Sequence, residues 1–198
     1  NHNDVGSYAV ALGSETMVGD QGGPNSYPGD YFNGDAPQKY KIKGSFGHPV
    51  PVVDGRTQSS GGKAKGVVLQ KEFTNEKDVF SIDYTSAYST PNLDKLIRTF
   101  VYDRQGEGNF TVGDEFTAKT PIRFETAITT RADWKILDDT HLLLATDSEQ
   151  MIVAIDASGK VAFTSETIEV NSPAYTRIGI ALKNQSKEGY IRLKMYTK

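Results

Sequence analysis

Apolar and polar positions alternate with a period of two in one short stretch after another along this chain. In the last of them, Tyr190 to Tyr196, Ile191, Leu193 and Met195 fall on one side and Arg192 and Lys194 on the other. That is the pattern of a strand with one face in a core. Similar β-prone runs occur at Gly66–Leu69, Val79–Ile82, Leu96–Tyr102, Asn109–Val112 and Ile122–Thr130. Four more follow at Trp134–Leu137, His141–Leu144, Met151–Ile155 and Lys160–Phe163, and another at Tyr175–Leu182. Turn residues separate them, among them Arg104–Gly108, Asp138-Asp139 and Ala157-Ser158-Gly159. Helical periodicity is confined to one possible turn at Pro91–Lys95. The pattern predicts an all-β fold, an antiparallel β-sandwich of stacked sheets, with residues 1–198 forming a single domain.

The first 60 residues have a different texture. Tyr8–Leu12 and Met17–Asp20 read as a hairpin about Gly13-Ser14, with the polar opening segment at its mouth. Residues 19–36 hold five Gly and two Pro, so no regular element is expected there. A structureless loop of that length in a compact domain is usually functional or disordered. It carries Tyr27 and Tyr31, whose rings either form a platform for a sugar or anchor the loop itself. Lys39-Tyr40-Lys41-Ile42-Lys43 alternates, which predicts a strand with three ammonium groups on one face. Val50-Pro51-Val52-Val53 reads as an extended edge segment, followed by an Asp54-Gly55 turn.

Composition narrows the chemistry. A chain of 198 residues with 37% hydrophobic and 24% charged residues has enough apolar material for a real core. The absence of cysteine excludes disulfides, thiolate catalysis and Cys-based metal sites. No apolar run approaches the ~20 residues of a membrane helix, so no membrane insertion is expected. The net charge of −3 gives no general reason for a polyanion partner. Locally the balance reverses. Between Ala36 and Lys71 stand Lys39, Lys41, Lys43, Arg56, Lys63, Lys65 and Lys71, against Asp54 alone. No phosphate loop, nucleophile elbow or nucleic-acid motif is present.

Of the three histidines, His141 at the start of an apolar strand reads as structural or surface. His2 and His48 stand at strand junctions where a side chain can be aimed at a site, and Asp20 closes the hairpin that His2 opens. Two imidazoles and a carboxylate suit zinc, or another divalent cation, though positions 2, 20 and 48 carry no short-range ligand signature. Asp4 reads as a turn-former before Gly6.

The segments His2-Asn3-Asp4-Val5-Gly6-Ser7-Tyr8 and Ser45-Phe46-Gly47-His48-Pro49-Val50-Pro51-Val52-Val53-Asp54-Gly55, with an Asp in a Gly-rich stretch between them, resemble the heparinase II/III-like family of polysaccharide lyases. Weaker echoes lie at Asp83–Tyr88 and Arg98–Tyr102. The resemblance is to the β-sheet domain that follows the family's helical toroid, and it implies several things. His2, Asp20 and His48 match a His, an Asp and a His that hold a metal, zinc, organising the active-site cleft. The substrate would be an acidic, uronic-acid-containing polysaccharide, cleaved by β-elimination. The partner would be the helical toroid of the same parent chain, and the compartment periplasmic or extracellular. Tyr27, Tyr31, Lys39, Lys41 and Lys43 become candidates for substrate binding. The family's further His falls just upstream of Asn1, and its proton-transferring Tyr and carboxylate-binding Asn belong to the toroid. The chain therefore reads as a C-terminal fragment, inactive by itself. The alternative is a non-catalytic carbohydrate-binding or structural sandwich.

Overall fold

The computed structural model describes residues 2–20, 22–169 and 173–198; Asn1 of the opening motif and Gln21 of the loop lie outside them. Among the described residues fourteen strands follow one another. They begin with the hairpin β1 (Val10–Leu12) and β2 (Glu15–Val18), then the two-residue β3 (Val52–Val53). Next come β4 (Val67–Phe73), β5 (Lys77–Asp83), β6 (Leu93–Asp103), β7 (Asn109–Ile122) and β8 (Phe124–Thr130). The chain ends with β9 (Asp133–Asp138), β10 (His141–Ala145), β11 (Gln150–Ala157), β12 (Val161–Ile168), β13 (Tyr175–Leu182) and β14 (Ser186–Thr197).

Every strand pairing is antiparallel. One sheet of eight strands runs β4-β5-β6-β7-β14-β11-β10-β9, a second of four runs β12-β13-β8-β3, and the β1-β2 hairpin stands apart. The fold is the β-sandwich expected from the alternation. Its main core lies between the sheets: Leu96, Phe116, Leu142, Val153 and Leu193 from one meet Val53, Phe124, Ile128, Ile178 and Ile180 from the other. Ile191, Leu193 and Met195 of β14 are all buried, as their spacing required. Burying such side chains contributes about 1.5–3 kcal/mol each.

A second, smaller cluster of Tyr31, Ile42, Ile168 and Tyr175 has Tyr40 and Phe46 packed against it. On β13, Tyr175 has the opposite parity to Ile178 and Ile180, so this cluster lies on the outer face of the four-stranded sheet. The long segment between β2 and β3 is thus a third layer, held to the sandwich by its own aromatics.

The structure corrects three readings. Residues 39–43 are not a strand. Pro37, early in the one-turn helix α1 (Ala36–Lys39), starts a helical turn, and the amides of Tyr40 and Gly44 bond back to Ala36 and Tyr40 at 2.8 and 2.9 Å. The three lysines therefore do not share a face. Pro91–Lys95 is not a helical turn, because Leu93 is already in β6 and buried. β7 runs well past Val112. The strand continues through Gly113-Asp114-Glu115, where Asp114 is buried and its charge is met inside the core by Arg98.

Candidate metal centre

Three segments converge on the site, each for an identifiable local reason. Among the described residues the opening segment before β1 has no strand partner, and side chains and loops take its hydrogen bonds. The buried Gln58 exchanges two bonds with the Val5 backbone, accepting from its amide at 2.9 Å and donating to its carbonyl at 2.8 Å. The Asn3 amide donates to the Lys43 carbonyl at 3.1 Å, and the Asn3 side chain donates to Ser60 Oγ at 3.0 Å. A turn closed by the Ser7 amide on the Asp4 carbonyl (2.8 Å) puts Gly6 at φ +83°, a conformation favourable to glycine. The turn at Asp4 is as expected; the bond that closes it is to the Asp4 backbone.

Asp20 follows β2 directly. The Gly19 amide donates to the Thr129 carbonyl at 3.0 Å and the Thr129 hydroxyl donates back to Gly19, tying this point to β8. The Asp20 carboxylate accepts from the Gly22 amide at 3.1 Å.

His48 ends a single 3-10 turn, Ser45–Gly47. Gly47 is pressed so close to its neighbours that a Cβ there would lie 2.2 Å from the Lys41 carbonyl oxygen and 2.8 Å from Tyr175 Oη. Tyr175 in turn donates to the Gly47 carbonyl at 2.9 Å. Gly47→Ala is expected to destabilise the protein by about 1–3 kcal/mol, the usual cost of overpacking. Thermal unfolding will measure it, and an unchanged midpoint would show that the 41–48 segment shifts without cost.

One side chain joins two of these segments. Arg98, fully buried, holds Asp114 through Nε (2.8 Å) and Nη2 (2.7 Å). Its Nη1 donates to both the Gly6 and Pro49 carbonyls, each at 2.7 Å. The backbones leading to His2 and to His48 thus hang from the same guanidinium.

The outcome is that ligand atoms of His2, Asp20 and His48 all lie within 4.8 Å of one another. The His2 and His48 ring centroids are 5.2 Å apart, and His48 Nδ1 stands 3.1 Å from Asp20 Oδ2. The two atoms are close but not aligned for a hydrogen bond. His48 is 1% exposed, and neither of its ring nitrogens has a directed partner among the described residues. Buried imidazole nitrogens without partners are costly unless something else binds them. His2 has its pKa lowered, first by burial and then by the neighbouring His48. Asp20 is held at about 2, chiefly by His48 beside it. At neutral pH the set therefore offers an unprotonated His2 and a carboxylate, as a divalent cation requires. Imidazole and carboxylate are ligand types for a divalent cation such as zinc, at roughly 2.0–2.2 Å, and three of them leave a further coordination position to be filled, so the residues fit such an ion.

Around this centre the other predicted residues separate. Tyr31 is buried and its hydroxyl lies 3.3 Å from His2 Nε2. Tyr27 is 57% exposed, with its ring 5.0 Å from that of Tyr31. Lys39 is paired with Asp30 and Lys41 with Glu166, both on the surface. Lys43 is buried, donates to the Tyr31 carbonyl, and lies 4.6 Å from the centre of the Tyr31 ring. Its ammonium group props the aromatic layer from behind. His141 pairs with Asp138 at 3.0 Å, a local contact at the start of β10. Sequence reasoning missed Phe32, 72% exposed and 5.1 Å from Tyr27, although it follows Tyr31 directly. It also missed Gln58 and the structural role of Arg98, which no local pattern announces. A concavity of about 670 Å³ lies on the far face of the eight-stranded sheet around Ile97, Glu115, Tyr190 and Arg192 and includes none of the predicted site residues.

No protein-family model and no curated protein sequence matches the chain. Solved structures do. A crystal structure of heparinase III matches with a TM-score of 0.75 and 19% identity, over 98% of this chain and 30% of that one. Heparan sulfate lyase HepC from Pedobacter heparinus matches with a TM-score of 0.76 and 14% identity, over 100% of this chain and 31% of that one. At these identities what is shared is the architecture: over nearly its whole length the chain has the fold of somewhat under a third of a heparinase III structure.

Proposed function

We propose that this chain is the β-sandwich domain of a heparinase II/III-like polysaccharide lyase, which cleaves a uronic-acid-containing polysaccharide by β-elimination. The observation that carries the reading is the convergence of His2, Asp20 and His48 on one another from three separate segments. In this reading residues 1–198 form one domain, and a helical toroid of the same longer polypeptide supplies the opposite wall of the cleft. The enzyme works in the periplasm or outside the cell.

β-Elimination needs a base for the C5 proton, neutralisation of the uronate carboxylate, and an acid for the departing C4 oxygen. None of these roles is assigned to a side chain of this domain. His2, Asp20 and His48 hold zinc, which would lock the hairpin mouth and the 41–48 segment into a single corner of the cleft. Tyr31 orients His2. Tyr27, half exposed, offers a ring face to a pyranose. Lys39 and Lys41 bind an anionic chain by exchanging Asp30 and Glu166 for its sulfates or carboxylates, and Lys43 stiffens the aromatic layer at Tyr31.

The test is elimination itself. The longer polypeptide is expected to raise the ultraviolet absorbance of unsaturated uronides from at least one of heparan sulfate, chondroitin sulfate, hyaluronan or alginate. The chain of 198 residues alone is expected to give no appreciable rise on any of them. Turnover by the isolated chain near that of the longer polypeptide would contradict the division of labour. Silence from the longer polypeptide on all four would remove the lyase reading.

A further inference from the structure

All seven residues of β4 are exposed, and Phe73 and Tyr102 show 64% and 45% of their surface. The ladders bring these residues into a band. Phe73 pairs with Asp78, Asp78 with Tyr102 and Tyr102 with Phe110, while Lys71 pairs with Phe80 and Phe80 with Phe100. By parity with the buried Ile82, Arg98 and Val112, this is the core-side face of the eight-stranded sheet. Phe80, Phe100 and Phe110 stack across it, with centroids 6.3 and 6.2 Å apart. The sheet has eight strands and its partner four, so the β4–β6 end projects beyond the layer that covers the rest.

The strand is not built to recruit another strand. β4 has a bulge between Val68 and Gln70, and Lys71 points a charge to the core side, two devices that block edge pairing. A second copy laid face to face would trap a second Lys71 in the same apolar contact. A saccharide would find few free polar groups, because Asp78 is taken by Arg104. The other end of β4 approaches the opening segment. A Cβ on Gly66, the residue before β4, would stand 3.5 Å from the side chain of Val5, three residues from His2. Finally, the matched structures are about three times as long as the part this chain covers.

We propose that the exposed pair Phe73 and Tyr102, continuous with the half-buried Phe80, Phe100 and Phe110 that pack against the core, is the surface on which the remainder of the longer polypeptide packs. The inference rests on the reading of the chain as one domain of a larger lyase. The packed element presents an apolar face with a carboxylate or carbonyl opposite Lys71, since a covered ammonium group needs an acceptor.

A photoreactive benzoylphenylalanine at position 73 of the longer polypeptide tests this. The expected result is an intramolecular crosslink to a peptide outside residues 1–198. Crosslinks only to a second copy or to added polysaccharide, or no crosslink with β4 amides exchanging as fast as in the isolated chain, would overturn it. Phe73→Ser with Tyr102→Ser should leave the unfolding midpoint of the isolated chain unchanged but lower that of the longer polypeptide; equal effects in both would also overturn it. Loss of elimination activity is not among these readouts, so a failed lyase assay and a failed docking surface are separate results.

Discussion

Arg98→Met is expected to destabilise the protein by about 3–5 kcal/mol, the cost of leaving one charge of a buried pair without its partner. Asp114 then has no guanidinium, although Tyr84 and Thr126 still donate to it at 2.6 and 2.7 Å. The Gly6 and Pro49 carbonyls lose their shared donor in a region closed to water. Asp114→Leu alone should cost a similar amount, by stranding the guanidinium. The double variant Arg98→Met, Asp114→Leu should recover a large part of the loss, because an apolar pair carries no desolvation debt. Urea unfolding of the four proteins closes the cycle. A single-variant cost below about 1 kcal/mol would mean that the charges are solvated after all and the pair acts like a surface one. The two carbonyls add a second consequence. In the folded fraction of Arg98→Met the His2 and His48 segments lose their common anchor, so affinity for zinc should fall although no ligand has changed.

The same residue marks where sequence reading stops. A period of two located the strands of the sandwich well, since an alternating run has few other ways to bury its apolar half. β14 is the clearest case, and Asp54-Gly55 is another: both residues take positive φ, 52° and 74°, between Val53 and Arg56. The alternation misled at Lys39–Lys43, where Pro37 and the pull of Asp30 on Lys39 and Tyr40 produce helical turns instead. It failed at Asp114 because a buried acid is legible only together with its partner, and Arg98 lies on another strand. The candidate metal set of His2, Asp20 and His48 comes from resemblance to a motif, and the fold brings the three together. Their spacing carries no signal, because Asp20 is fixed by Thr129 and His48 by Tyr175, contacts made across more than a hundred residues. The exposed Phe73 and Tyr102 looked like ordinary strand residues; only the unequal width of the two sheets reveals them as uncovered.

Zinc is expected to raise the unfolding midpoint of the chain, and His48→Ala to abolish the effect. At a free ion concentration 100 times the dissociation constant, binding to the folded state alone contributes about 2.7 kcal/mol. For a domain of this size that is a rise of roughly 5–11 °C, at about 2–4 °C per kcal/mol. His48 is the decisive position because it is the buried member of the candidate set, and neither of its nitrogens has a directed partner among the described residues. Removing it takes away those unpartnered atoms but also the contact that holds Asp20 at about 2 and a buried ring, so the zinc-free variant should lose some stability, and the deciding readout is that it also loses the response to the ion. With a purely structural histidine, zinc would have no effect on either protein. Acidity provides an independent check. Asp20, held at about 2, stays ionised throughout the range where the fold is studied. The competitor for zinc is therefore the proton on imidazole. Affinity should be full near neutral pH, where the lowered pKa of His2 keeps that ligand free, and should decline as pH falls through the histidine range. A zinc-induced shift that persists unchanged at pH values well below that range, or in His48→Ala, would place the ion elsewhere on the molecule and take from the lyase reading the observation that carries it.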